Sequence, residues 1–155
     1  MERTLVLLKP DAIQRGLIGE VIGRFERKGL RLVGVKMMSL DQALLNEHYS
    51  HLKDKPFFPM STKFMMSSPV IAMCWEGLEA VEAVRILCGT TNARHADAGS
   101  IRGDLAMSIQ CNVVHASDTV ENGKIEVARF FKKADLFDYE KAEYLQVYSE
   151  DELTK

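Results

Sequence analysis

The stretch Asn112-Val113-Val114-His115-Ala116-Ser117-Asp118-Thr119 runs two β-branched aliphatics into a histidine, and polar residues then open a helix. An imidazole in that place is either a hydrogen-bonded boundary residue or a nucleophile, since a neutral ring nitrogen is competent at either task. Glu126 lies seven residues beyond Thr119, almost two helical turns, and so returns to the same helix face. A carboxylate there could fix the tautomer of a nucleophilic histidine. Three cations join the set. Lys9 ends an apolar run, where an ammonium must snorkel or meet an anion. Arg85 stands in the last turn of its helix, a position that the helix dipole already favours. Arg102 sits in a long loop with no evident core role. Alone, each is ordinary surface chemistry; together with His115 and the hydroxyls of Thr91 and Ser117 they suit a polyphosphate.

The familiar phosphate devices are absent. The chain has no GxxxxGK[ST] and no GxGxxG, so phosphate chemistry here does without a P-loop or a kinase-type glycine loop. His48 and His51 are three apart on an expected helix but lack a third ligand, and we expect no metal held by the protein. Arg102-Gly103-Asp104 matches a cell-adhesion tripeptide by chance.

These residues need a scaffold. Thr4–Leu8 is an apolar run stopped by Lys9-Pro10-Asp11, which reads as a buried strand entering a turn. Leu17, Ile18, Val21, Ile22 and Phe25 recur at helical spacing, and Gly29 stands where the helix would end. Residues 31–38 make a second strand, "DQALLNEHYSHL" a polar helix, and 69–75 a strand apolar on both faces. A helix from Leu78 closes at Gly89, 90–104 reads as loop, and a last strand leads to His115. Val120, Lys124, Val127, Ala128 and Phe131 then share one helical stripe, with a capping box expected from Asp118 to Glu121. This order predicts an α/β sandwich related to the split βαβ motif, a single sheet covered by helices on one face.

With 155 residues, 46% hydrophobic and 27% charged, the chain is expected to be one domain over 1–155, with a C-terminal tail from about 132. The net charge of −2 argues against nucleic acid as the main ligand. Three cysteines without a CxxC, and an opening apolar run too short for a signal peptide or a membrane span, predict a cytoplasmic location and no membrane partner.

The sequence resembles the nucleoside diphosphate kinases from about Arg3 to Tyr148. "LLKPDAIQRGLIGEVIGRFERKGLRLVGVKM" resembles the family's opening strand, helix and second strand. "HYSHLKDKPFF", "GTTNA", "SIRGD" and "NVVHASD" resemble its site segments, in family order and spacing. The resemblance implies an α+β sandwich with a ferredoxin-like βαββαβ core, its antiparallel sheet covered by helices. It implies transfer of a γ-phosphoryl group from a nucleoside triphosphate to a diphosphate, by a ping-pong route through a phosphohistidine on His115. Glu126 matches the glutamate that holds the ring. Lys9, Arg85, Thr91, Arg102 and Asn112 match positions that bind phosphates and sugar. Phe57 matches the residue on which the base stacks, and Tyr49 and Ser117 match side chains lining the phosphohistidine pocket. Mg²⁺ would arrive on the nucleotide's phosphates.

Three positions depart from the family pattern. Ala116 stands where many members have glycine, a change tolerated if φ is negative. Ala93 replaces a common proline, and Ala96-Asp97-Ala98-Gly99-Ser100 lacks the proline usual before Gly99, which predicts a less pre-ordered loop. The tail carries Tyr139, Tyr144, Leu145, Val147 and Tyr148, an apolar set that a lone small domain would struggle to bury. With the resemblance, it predicts a homo-oligomer, a hexamer rather than a tetramer. A nucleotide-binding module on the same fold is the rival reading. His115 with Glu126 discriminates, because a binder needs no nucleophile with an oriented ring.

Overall fold

Every residue of Thr4–Leu8 is fully buried, which already decides how the sheet is dressed. In the computed structural model, which describes residues 1–153, this run belongs to β1 (Glu2–Leu8). It turns Val6 and Leu8 into one apolar cluster and Leu5 and Leu7 into another. β3 (Val70–Gly77) repeats the pattern, with Met73 and Trp75 on the first side and Ala72 and Cys74 on the second. Strands apolar at every position need cover on both faces. The expectation of helices on one face is therefore corrected.

β2 (Arg31–Met38) and β4 (Val114–Ala116) complete a sheet of order β2-β3-β1-β4, with every pairing antiparallel. That is the ferredoxin-like βαββαβ arrangement. The two helices of the repeat are α2 (Ile18–Arg27), which buries Val21 and Phe25, and α5 (Ala80–Cys88), which buries Ala80, Val84 and Cys88. Phe25 packs on Trp75 with ring centroids 5.2 Å apart. On the opposite face lie α3 (Gln42–His48), α4 (Phe58–Met65) and α7 (Val120–Phe130), through Leu45, Met65, Val127 and Phe130. Gly29, just past α2, takes φ +98, the left-handed turn that its place in the sequence implied.

Several local readings are also corrected. Lys9-Pro10-Asp11 opens a short helix, α1 (Pro10–Gln14), instead of a turn, because proline suits the first helical position, where no N–H is needed. α4 also starts beside a proline and was not foreseen. The 90–104 segment holds a 3₁₀ turn (Ala93–His95) and α6 (Ile101–Leu105), capped by Ser100 Oγ on Gly103 N at 3.1 Å. The cap of α7 is Thr119, whose Oγ1 accepts from Asn122 N at 3.1 Å. Asp118 instead accepts from the Asn122 side chain at 2.7 Å.

The tail folds back over β2. Phe137 N donates to Val33 O at 2.8 Å, and the Tyr139 hydroxyl donates to Leu32 O at 2.9 Å. The Arg31 guanidinium lies over the rings of Tyr139 and Tyr144 and pairs with buried Glu76. Two short helices, α8 (Tyr144–Val147) and α9 (Glu150–Leu153), follow. Among the described residues no helix is long and apolar enough to cross a membrane.

Candidate active site

His115 pairs with Leu7 across β1 and β4, so the central strand of the fold carries its mount. The approach to it is strained. Val113 is fully buried at φ +72, a conformation that costs a β-branched residue on the order of 1–3 kcal/mol. Val114 N donates to Asn112 O at 2.8 Å, which closes a γ-turn around Val113. Two neighbours hold the strain in place: Val113 N donates to Asp11 Oδ2 at 2.9 Å, and Lys9 N donates to Val113 O at 2.9 Å. The tight turn brings the Asn112 side chain under Lys9. Asn112 Oδ1 accepts from Lys9 Nζ at 2.5 Å, while its amide donates to Thr91 O at 2.9 Å and Ile109 O at 3.0 Å.

Behind the ring, His115 Nε2 lies 3.2 Å from Glu126 Oε2. A carboxylate only accepts, so Nε2 carries the proton and Nδ1 keeps its lone pair. Burial pushes the Glu126 carboxyl up, but the hydrogen bond and charge of His115 and the bond from Ser117 outweigh it and hold it at about 2. Glu126 is thus ionised whenever the protein is folded near neutrality. Ser117 Oγ donates to the same Oε2 at 2.6 Å and accepts from Leu5 N at 3.2 Å. Its side chain is fully buried. Ser117 therefore lies behind the histidine, bracing Glu126, and does not face the cavity.

In front of His115 opens a cavity of about 640 Å³. Lys9, Tyr49, Phe57, Arg85, Thr91, Arg102, Asn112 and His115 all line it. Sequence reasoning named each of them, and the fold brings them to one place. Burial, with Arg102 alongside, pulls the Lys9 ammonium down to about 8, against a smaller opposing effect of Asp11. Arg102 is held by Nη1 on Gly89 O at 2.5 Å and Nη2 on Val114 O at 2.8 Å, and burial lowers its pKa. Arg85 is exposed and has no hydrogen-bond or ion-pair partner among the described residues. Phe57 stands at the rim, 48% exposed, above a wall of Leu52, Phe58, Phe64 and Ile109. No aspartate or glutamate lines the cavity among the described residues. A concave site with cations at its floor and an aromatic at its lip fits a phosphorylated ligand with a flat group at its far end.

The family profile described as Nucleoside diphosphate kinase matches residues 2–136. The nucleoside diphosphate kinase of Parabacteroides distasonis is 56% identical over 152 residues, covering 98% of this chain and 99% of its own length. Nucleoside diphosphate kinase A of Homo sapiens is 49% identical over 138 residues, 89% of this chain and 91% of its own. This chain belongs to the nucleoside diphosphate kinase family. It is accordingly a phosphotransferase. The solved halophilic nucleoside diphosphate kinase of Halobacterium salinarum, in complex with CDP, superposes with a TM-score of 0.93 at 44% identity, covering 96% of this chain and 99% of that one.

The departures from the nucleoside diphosphate kinase pattern are absorbed locally. Ala116 is not among the described residues with positive φ, so a Cβ there costs nothing. The loop without its prolines is tied by side chains instead. Ser100 Oγ donates to Asp97 O at 2.6 Å, Asp104 Oδ1 accepts from Gly99 N at 2.8 Å, and Arg24 Nη1 reaches Asp104 Oδ2 at 2.7 Å and Gly99 O at 3.2 Å.

Two residues at the site escaped sequence reasoning. Asp11 anchors the γ-turn, and its signal was Pro10-Asp11 as a helix start. His48 lies directly against His115, with ring centroids 4.6 Å apart. His48, His115 and Glu126 place three ligand atoms within 4.8 Å of one another. They do not fit a cation: Nε2 of His115 is spent on Glu126, and the Arg129 guanidinium already sits 3.3 Å from His48 Nδ1.

Proposed function

We propose that this chain carries out the family's reaction on His115. In the first half-reaction Nδ1 attacks the γ-phosphorus of a nucleoside triphosphate in line; the bond to the β-phosphate oxygen breaks and the diphosphate leaves. In the second, a different diphosphate takes the phosphoryl group from the ring and frees the nitrogen. Glu126 keeps the proton on Nε2, so the attacking nitrogen is always the one that faces the cavity. The charge gathering on the equatorial oxygens meets Lys9, Arg85 and Arg102. Thr91 and Asn112 hold the sugar and phosphates, Tyr49 closes the side of the pocket, and the base stacks on Phe57. The cavity offers no carboxylate to bind a metal, which supports Mg²⁺ arriving on the nucleotide. When bound, that ion would supply positive charge against the phosphates, beside Lys9, Arg85 and Arg102.

The observation that carries this reading is the ionised Glu126 held against Nε2 of a histidine whose other nitrogen is free. A nucleotide-binding module would need the cations and Phe57 but not this pair. Incubation with ATP and GDP tests it: GTP forms under this reading, and none forms if the chain only binds.

The base is held by its π-face, which every nucleobase presents, so purine and pyrimidine diphosphates, ribo and deoxy, all serve as substrates. Phe57→Ala raises the Michaelis constants of all nucleotides together, by about 5- to 100-fold for a stack worth ~1–3 kcal/mol. Steady-state kinetics with four diphosphates checks this. A variant that lost purines alone would mean that base edges are read.

The chain assembles as a homo-oligomer, a hexamer in preference to a tetramer. β2 is an edge strand of the sheet and, beyond the Val33 carbonyl that the tail engages, shows Val35 at 52% and Met37 at 58% exposure, while Leu145 of the tail is 68% exposed. Such apolar surface supports burial against other copies. Light scattering at micromolar concentration returns a multiple of the chain mass; a monomer mass refutes the assembly. We place the enzyme in the cytoplasm, without a membrane partner and with nucleotides rather than nucleic acid as its ligands.

A further inference from the structure

His48 ends α3 with a side chain that has no exposed surface, and the chemistry set out above does not use it. Its ring lies 4.6 Å from that of His115 at 70°, 4.5 Å from that of Tyr49, and 5.1 Å from that of Phe130 at 80°. Nδ1 stands 3.3 Å from Arg129 Nη1 and 3.7 Å from Glu126 Oε1. A guanidinium only donates, so Nδ1 accepts and the proton belongs on Nε2. Arg129 is aimed in turn by Glu47, whose Oε1 accepts from Nε at 2.8 Å. Burial, then the neighbouring His115, drives the His48 imidazole down to about 3; Glu126 opposes, and Arg129 and His51 add to the lowering. The ring is neutral near pH 7.

That neutrality has a consequence for Glu126. Its Oε2 is engaged by His115 and Ser117, while Oε1 faces a lone pair of His48 at 3.7 Å. In the other tautomer, or protonated, His48 would present an N–H to Oε1 and share the carboxylate. The bond from Arg129 forbids it. We propose that His48 is a positioning residue for phosphoryl transfer: locked by Arg129 as the Nε2–H tautomer, it walls the His115 ring at one tilt and leaves the Glu126 charge to His115 and Ser117. The inference rests on His115 being the nucleophile. The charged and titratable groups facing His48 are His115 from β4, Glu126 and Arg129 from α7, and Tyr49 and His51 from its own segment.

Three variants test it in the full-length enzyme. His48→Leu fills the space without an acceptor. His48→Asn places an amide oxygen near Nδ1 and keeps the acceptor for Arg129. Arg129→Met leaves His48 in place but unlocked. The readouts are the single-turnover rate of loading from γ-labelled ATP, the Michaelis constant, the pH profile of loading and the melting temperature. His48→Leu loads up to about 100-fold more slowly, the cost of a misplaced reacting group, with the Michaelis constant for ATP within twofold of wild type. His48→Asn recovers most of that loss. Arg129→Met slows loading at neutral pH, because His48 can now take the other tautomer and share the Glu126 carboxylate.

Wild-type loading by His48→Leu, or equal slowness of a well-folded His48→Asn, overturns the proposal. Should His48→Leu fail to fold, an Arg129→Met variant that loads at the wild-type rate overturns it alone. Labelling of His115→Gln would instead sink the nucleophile assignment, so the two failures are distinguishable.

Discussion

His115→Gln ends both labelling by γ-phosphate and turnover, the latter by at least about 10⁴-fold, the scale on which losing a nucleophile acts. The amide is close to the ring in reach, and its N–H can donate to Glu126 as Nε2 does at 3.2 Å. The hydrogen bonds behind the site, from Ser117 to Glu126 and from Leu5 to Ser117, are left intact. The melting temperature is therefore unchanged, and the loss is chemical. In the wild type the label is labile in acid and stable in base, as a phosphorus–nitrogen bond is and a phosphoserine is not. Glu126→Gln slows transfer by up to about 10⁴-fold without ending it. The new amide can donate to Nε2 and drive the proton onto Nδ1, the wrong tautomer, yet the nucleophile remains. Labelling of His115→Gln at the wild-type rate would refute the assignment.

Much of this site was legible because its chemistry is carried by residues that a soluble chain places reluctantly. A lysine that closes a buried strand, an arginine with no core role and a histidine at a strand end each demand a partner, which Asn112, the carbonyls of Gly89 and Val114, and Glu126 supply. Lys9, Arg102 and His115 line a single cavity. The strands were legible too, since Leu5–Leu8 and Val70–Trp75 are apolar at every position. The same runs imply a sheet covered on both faces, but two of the helices on the second face, α3 and α4, are short and partly polar, and their periodicity is weak. Lys9-Pro10-Asp11 suits a turn as well as a helix start, so the sequence hides the helix and with it the role of Asp11, the carboxylate that holds the strained Val113. The sequence offers His48 only His51 as a nearby companion. Its partners, Arg129 and His115, lie far along the chain and meet it only through packing.

The site also shows function set against stability. Val113 keeps a left-handed backbone so that Asn112 and His115 can face one cavity. Around it, three cations converge without a carboxylate among the described lining residues. Neither arrangement is what a fold would select for its own sake, and the clearest case is Lys9.

Lys9→Met is expected to raise the melting temperature at pH 7 while lowering turnover by about 10³-fold or more, as removal of a phosphate-neutralising cation does. The ammonium is buried beside Arg102, and its pKa is depressed to about 8. Between pH 8 and the ordinary lysine value near 10.4 the unfolded chain holds a proton that the folded one has lost, so stability rises with pH across that window. Below it the cost of the buried charge is present in full, on the order of 3 kcal/mol. Methionine removes that charge and keeps the length. It forfeits the bonds to Asn112 Oδ1 at 2.5 Å and Gln110 O at 3.3 Å, worth about 1–2 kcal/mol together. The balance favours the variant by about 1–2 kcal/mol, or a few degrees for a chain of this length. Two pH dependences follow. The melting advantage of Lys9→Met over wild type shrinks as pH rises through 8, because the wild-type lysine goes neutral and its cost disappears. The wild type's kcat/KM falls over the same interval, as the phosphates lose a cation, and saturating nucleotide moves the decline to higher pH by holding the proton on. Scanning calorimetry at pH 7 and pH 10, with a pH–rate profile, reads all of this. A variant that melts below wild type at pH 7 would show that the hydrogen bonds of Nζ outweigh its burial, and one that kept a tenth of the activity would remove Lys9 from the group that neutralises the transferred phosphoryl.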